Sequence, residues 1–184
     1  VKQSLLEIDD HLPDLPRFGV KMTLQGNLDK ISWFGRGPHE SYSDRKTSAK
    51  VDFYSGSVWE QTFPYVRPQE TGNKTDVYWM ALQNEEIGIM AKGVPVFDGS
   101  AHQYPYSDLE NDPKDRKHGK TDIIPKDQVD WLIDYKQMGV GGDDSWGAFP
   151  HKKYILKPQN YTFEFFLIPF QSRDDLRKIS KTNF

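Results

Sequence analysis

Tyr161-Thr162-Phe163-Glu164-Phe165-Phe166-Leu167-Ile168 opens by alternating large apolar side chains with polar ones. In an extended chain Tyr161, Phe163, Phe165 and Leu167 share one face, while Thr162 and Glu164 begin the other. A strand patterned this way belongs to a sheet with a core side and a wetter side. Further strand signals lie on its N-terminal side. Val77-Tyr78-Trp79-Met80-Ala81-Leu82, the turn Asn84-Glu85-Glu86 and Ile87-Gly88-Ile89-Met90-Ala91 together predict a hairpin. Val129–Tyr135 is another strand, and Gly19–Leu24 and Leu28–Phe34 are shorter ones separated by Gln25-Gly26-Asn27. Helical signals are sparse. Ser107–Glu110 could open a short helix that Pro113 ends, and Ser172 could cap one or two turns in the tail. Many short strands punctuated by Gly and Pro predict an all-β chain, a large antiparallel β-sandwich.

The chain has 184 residues, which suits a single domain spanning 1–184 with a sizeable core. Residues 1–11 and 171–184 are expected as peripheral ends, and 110–120 as a charged loop. Acids and bases are mixed and the formal net charge is −3, so there is no basic footprint for nucleic acid. No apolar run approaches the roughly 20 residues needed to span a bilayer. Val1–Glu7 carries neither a signal-peptide core nor an initiator methionine, and the start is expected to be a cut through a longer chain. The absence of cysteine excludes disulfides, thiolate metal sites and a thiol nucleophile, and leaves the redox compartment undecided.

The densest chemical signal is Met138-Gly139-Val140-Gly141-Gly142-Asp143-Asp144-Ser145-Trp146-Gly147. Its glycines and paired aspartates form a tight turn ending in an indole. Presented there, Trp146 either stacks on the apolar face of a sugar or plugs a sandwich edge. The other tryptophans have plainer readings. Trp79 and Trp131 lie in strand-like runs and are expected in the core, Trp33 beneath the following Gly-Arg-Gly-Pro turn, and Trp59 buried or as an exposed contact. Asp143 and Asp144 are the only adjacent acidic pair in a Gly-rich turn. Neighbouring side chains point to opposite faces of an extended chain, so a catalytic dyad is not expected of them. Glu40 and Glu70 are either functional or buried carboxylates pinned by backbone N–H groups or by Arg36, Arg45 or Arg67. His11, His39, His102, His118 and His151 are scattered and predict no metal site. A cation at Asp112, Asp115 or Asp143 lacks EF-hand spacing.

Three more segments accompany that loop: Leu15-Pro16-Arg17-Phe18-Gly19, Trp33-Phe34-Gly35-Arg36-Gly37-Pro38-His39-Glu40-Ser41-Tyr42-Ser43-Asp44-Arg45 and Pro64-Tyr65-Val66-Arg67-Pro68-Gln69-Glu70-Thr71-Gly72-Asn73. In this order the four closely resemble the C-terminal part, or small chain, of glycoside hydrolase family 2 β-galactosidases, from about Leu12 to Phe170. Two departures are mild: Thr71 stands where many relatives carry asparagine, and Asn111–Lys120 is unusually charged. The resemblance implies a galactose-mutarotase-like supersandwich packed beside a catalytic (β/α)₈ barrel. Both catalytic glutamates would lie in that barrel, so no catalytic residue is expected in this chain.

What the resemblance further implies is that the sandwich closes the aglycone side of the site for a terminal, lactose-like β-galactoside. Trp146 falls on the tryptophan that stacks against the aglycone sugar. Gly141, Gly142, Asp143, Asp144 and Ser145 are expected to shape its loop. No cofactor is expected in this chain; divalent or monovalent cations would belong to the barrel of a homo-oligomeric parent enzyme. An alternative is a stand-alone carbohydrate-binding module of mutarotase-like fold. Mutarotase activity itself would need an acid–base pair such as Glu40 or Glu70 with His39 or His102, and no mutarotase motif accompanies them.

Overall fold

The computed structural model describes residues 1–9, 11–109, 119–144 and 146–182. Among them, eight strands occur in chain order: β1 (Lys2–Leu5), β2 (Arg17–Gln25), β3 (Lys30–Gly37), β4 (Lys50–Ser57), β5 (Lys74–Gln83), β6 (Ile87–His102), β7 (Gln128–Gln137) and β8 (Tyr161–Gln171). Two single helical turns, α1 (Gly119–Asp122) and α2 (Leu176–Ile179), complete the regular structure with short 3-10 turns. No described helix is long and apolar enough to cross a membrane.

Every ladder is antiparallel. The predicted hairpin is β5–β6, with Leu82 opposite Ile89 and Met80 opposite Ala91. Its turn is closed by Asn84, whose side-chain oxygen accepts from the N–H groups of Glu86 (2.8 Å) and Ile87 (2.9 Å). β2 and β3 are both present but do not pair with each other. β2 runs along β7, and β3 lies between β4 and β5.

β6 is the hinge of the architecture. Its first half, from Ile87 to Gly93, pairs with β8. Its second half, Asp98–His102, pairs with β7 on the same edge. Between the halves the β5–β6 register shifts twice, around Val77, and such bulges bend and twist a sheet. The β2–β7 pair is thereby turned toward β8, which it does not hydrogen-bond. Phe18 of β2 stacks on Tyr161 of β8 at 5.7 Å, and Tyr135 of β7 meets Phe163 at 6.1 Å. Ile31, Trp33, Met80, Trp131, Ile133 and Phe165 fill the same core. The fold is therefore all-β and sandwich-like.

β8 keeps its predicted period. Tyr161, Phe163 and Phe165 are buried and Thr162 and Glu164 exposed. β5 differs because both its faces are covered: Met80 and Leu82 point into the main core, while Trp79 and Ala81 pack under Leu176 and Ile179 of α2. This accounts for its unbroken apolar run. The cap of α2 is Asp175, which accepts from the Arg177 N–H at 2.9 Å, rather than the expected Ser172. Ser172 instead extends β8, its N–H donating to Glu86 O (2.9 Å) and its hydroxyl to Glu85 O. Trp79, Trp131 and Trp33 are buried, and the Trp33 indole N–H donates to Arg36 O at 3.0 Å beneath the Gly-Arg-Gly-Pro turn.

Candidate functional site

The Gly-rich loop leaves the end of β7 and is pinned at its base. Met138 N–H donates to Pro16 O (3.0 Å) and Gly139 N–H to Tyr154 O (2.8 Å). Gly141, Gly142 and Gly147 adopt φ of +67°, +97° and +85°, values that disfavour any side chain. Gly141 is doubly constrained, because a Cβ there would lie 2.4 Å from Ala148 O. Within the loop, one oxygen of Asp144 accepts from Trp146 N–H (2.8 Å) and Ala148 N–H (3.3 Å). Asp143 meets His151 Nε2 at 2.6 Å, and both side chains are largely in solvent. Ser145 lies outside the described residues. The result is a braced loop that holds Trp146 with 93% of its surface exposed, beside Phe149 at 86%. Trp146 does not plug an edge of this sandwich.

The other motifs meet around two carboxylates. Glu40 accepts from Arg45 (2.6 Å), Thr71 Oγ1 (3.1 Å), Gly72 N–H (2.8 Å) and the Tyr65 hydroxyl. It therefore ties the Gly37–Arg45 segment to the Pro64–Asn73 segment. Glu70 is paired with Arg17 (2.7 Å) and the Tyr106 hydroxyl (2.8 Å), and Arg17 also lies 3.2 Å from Asp134. Of the partners expected for the two carboxylates, backbone N–H groups or Arg36, Arg45 or Arg67, Glu40 has Arg45 and the Gly72 N–H, whereas Glu70 takes Arg17, which β2 sets opposite Gln137 at the end of β7. Arg36 serves Asp76 instead. Burial raises the Glu70 carboxyl, against the pull of Arg17. It also pushes Asp134 up to about 7, again opposed by Arg17. His102 is fully buried between the rings of Tyr104 and Tyr106, and burial with Arg17 and Lys74 nearby drives it down to about 3. It stays neutral at ordinary pH, and neither Glu40 nor Glu70 is free of partners to work with it.

The sandwich also carries a cleft of about 480 Å³, whose lining includes Asp76, Asp98, Lys46, Phe97, Tyr135 and Tyr161. Carboxylates that accept from hydroxyls, an ammonium that donates, and aromatic faces are groups that a polyhydroxylated ring could use. Lys46 already bonds both oxygens of Asp76, at 2.9 Å each. Burial raises Asp98 to about 7, opposed by the Gln137 N–H and reinforced by Asp134 and Asp76. Among the described residues no group of three His, Cys, Asp or Glu side chains is placed to hold a metal ion. His118, Asp112 and Asp115 lie outside them.

One residue of this region was not singled out from sequence. Asp44, in the Tyr42–Arg45 turn, accepts from Val140 N–H (3.1 Å) and Gly141 N–H (2.8 Å). The only trace in the sequence is Gly139, where a Cβ would lie 2.4 Å from Asp44 Oδ2.

Residues 1–167 match the family described as beta galactosidase small chain. The chain is 43% identical over 171 residues to a beta-galactosidase of Priestia megaterium, covering 92% of this chain and 16% of that protein. It is 34% identical over 159 residues to one of Pseudoalteromonas haloplanktis (86% and 14%), and 33% over 153 residues to one of Vibrio cholerae (83% and 14%). The chain thus spans about a seventh of the length of these relatives. A match over 167 residues, with the four motifs folded around one end of the sandwich, places the chain in the β-galactosidase small-chain family.

Proposed function

We propose that this chain is a non-catalytic C-terminal region of a glycoside hydrolase family 2 β-galactosidase, packed on the catalytic barrel and presenting Trp146 to the leaving-group sugar. The observation that carries the reading is the exposed indole on a braced loop. An indole held 93% exposed, with Phe149 three residues on at 86%, offers a partner apolar surface to bury, and bracing the loop lowers the entropy lost when one binds. Retaining glycosidases require two carboxyls about 5–5.5 Å apart across the scissile bond. Asp143 and Asp144 are occupied by their own loop, as Glu40 and Glu70 are by arginines and hydroxyls. The chemistry then belongs to the rest of the enzyme, and this chain contributes acceptor recognition. Gly141, Gly142, Asp143 and Asp144 shape the loop.

Stacking adds about 0.5–1.5 kcal/mol beyond area burial, roughly two- to tenfold in affinity. In the full-length enzyme Trp146→Ala should weaken the binding of a sugar acceptor to the galactosyl-enzyme by about that factor, while galactosylation by an activated aryl galactoside changes little. Unchanged acceptor affinity and unchanged transglycosylation would remove this role from Trp146.

A further inference from the structure

We propose that Asp44 is the positioning residue for the Trp146 loop, fixing the hinge about which the indole would otherwise swing; the functional half of this statement rests on the acceptor-binding reading of Trp146. Both oxygens of one carboxylate are engaged, Oδ1 by Val140 N–H at 3.1 Å and Oδ2 by Gly141 N–H at 2.8 Å. Hydrogen bonds to an ionised acceptor are roughly twice as strong as neutral ones. They act where the loop is most free to turn, since Gly141 and the following Gly142 both have positive φ and glycine samples that region readily. Gly139 is the complementary half of the contact. With no Cβ it lets the Asp44 carboxylate approach, and its own N–H is held by Tyr154 O at 2.8 Å. Three successive backbone positions, 139 to 141, are thereby fixed to the body of the sandwich.

A clamp positions only if its own frame is rigid, and that of Asp44 is. Tyr42 and Arg45 exchange both backbone hydrogen bonds across the turn, at 3.1 and 2.9 Å. The Tyr42 ring is buried, with the Arg45 guanidinium 5.1 Å from its centre. Arg45 is in turn held by Glu40, which also binds Thr71 and Gly72. Beyond the hinge, Asp144 braces the loop internally, so the segment bearing Trp146 moves as one piece. Asp44 connects that piece to the core across 96 residues of sequence.

The test is made in the full-length β-galactosidase with Asp44→Asn, Trp146→Ala and the double variant. Asparagine keeps the shape, but whichever way its amide turns, its NH₂ meets one of the two N–H donors. Hydrogen exchange of the peptide covering residues 138–150 should be roughly tenfold faster or more in Asp44→Asn, at whichever of Val140 and Gly141 faces the NH₂, because one bond is lost outright and the other loses its charge. Gly139→Ala should reproduce this. Acceptor affinity, with glucose as the probe, should fall in Asp44→Asn by no more than it falls in Trp146→Ala, about two- to tenfold. In the double variant it should fall no further than in Trp146→Ala alone, since Asp44 acts through the ring. Unchanged exchange in Asp44→Asn overturns the clamp, whatever Trp146 does. Faster exchange with acceptor losses that multiply in the double variant overturns the link to the ring. No acceptor effect from Trp146→Ala overturns the reading of Trp146, and the exchange result alone then decides the clamp.

Discussion

Asp98 shows how one carboxyl can read the pH through burial. Its ordinary value near 3.8 is pushed to about 7, chiefly by burial and further by Asp134 and Asp76. A carboxyl whose folded value is raised binds its proton more tightly in the native state than in the unfolded one. Its favourable contribution is therefore full below about 3.8 and lost as pH rises through about 7. Asp98→Asn keeps an acceptor for the Gln137 N–H, 3.4 Å away, but cannot ionise. Relative to the parent chain, the variant should gain stability as pH rises from 4 to 7, by at least about 1 kcal/mol over that span. Denaturant melts of the two proteins across that range measure the difference directly, and a difference independent of pH would mean that Asp98 ionises normally in the cleft. At the same scale, the Arg17–Glu70 pair illustrates why a buried carboxylate needs its partner identified in three dimensions. The arginine that serves Glu70 comes from 53 residues away, past three nearer candidates in the motifs.

The elements explain why the Gly-rich segment tolerates so little change. Gly141 and Gly142 are neighbours with positive φ, yet only one is crowded. A Cβ at 141 would stand 2.4 Å from Ala148 O, whereas nothing lies within 4 Å of one at 142. Alanine at position 142 should therefore lose about 1–2 kcal/mol of local stability through the left-handed backbone alone. Alanine at 141 should lose more, because the Ala148 carbonyl must also shift. Hydrogen exchange across 138–150 ranks the two variants, and equal effects would show that the close approach to Ala148 carries no weight. β5 teaches the companion lesson about strands. Its run of apolar residues is explained only when α2 is seen covering Trp79 and Ala81, since a strand wet on one face would alternate.

At the scale of the molecule, the chain spans about a seventh of the length of its β-galactosidase relatives, and the proposed site is half a pocket. Mixed with the remainder of the enzyme, the chain should restore hydrolysis of a chromogenic galactoside, while alone it should be inactive. Calorimetry of the chain alone with millimolar galactoside should show no heat; saturable binding would favour a self-contained sugar-binding module using the Asp76–Asp98 cleft. How much of this was legible in advance follows from the range of the forces involved. The strands β5 to β8, the all-β class, the core placement of Trp33, Trp79 and Trp131 and the β5–β6 hairpin rest on local periodicity and turn chemistry, which the sequence carries by itself. The four motifs likewise carried the family. What only the tertiary structure decided is which distant groups meet: β2 with β7 instead of β3, Arg17 with Glu70, and Asp44 with the backbone of Val140 and Gly141. Backbone N–H groups are the same at every non-proline residue and leave no mark in the sequence. A contact made to them across 96 residues becomes visible only once β6 has bent and the two layers have closed on each other.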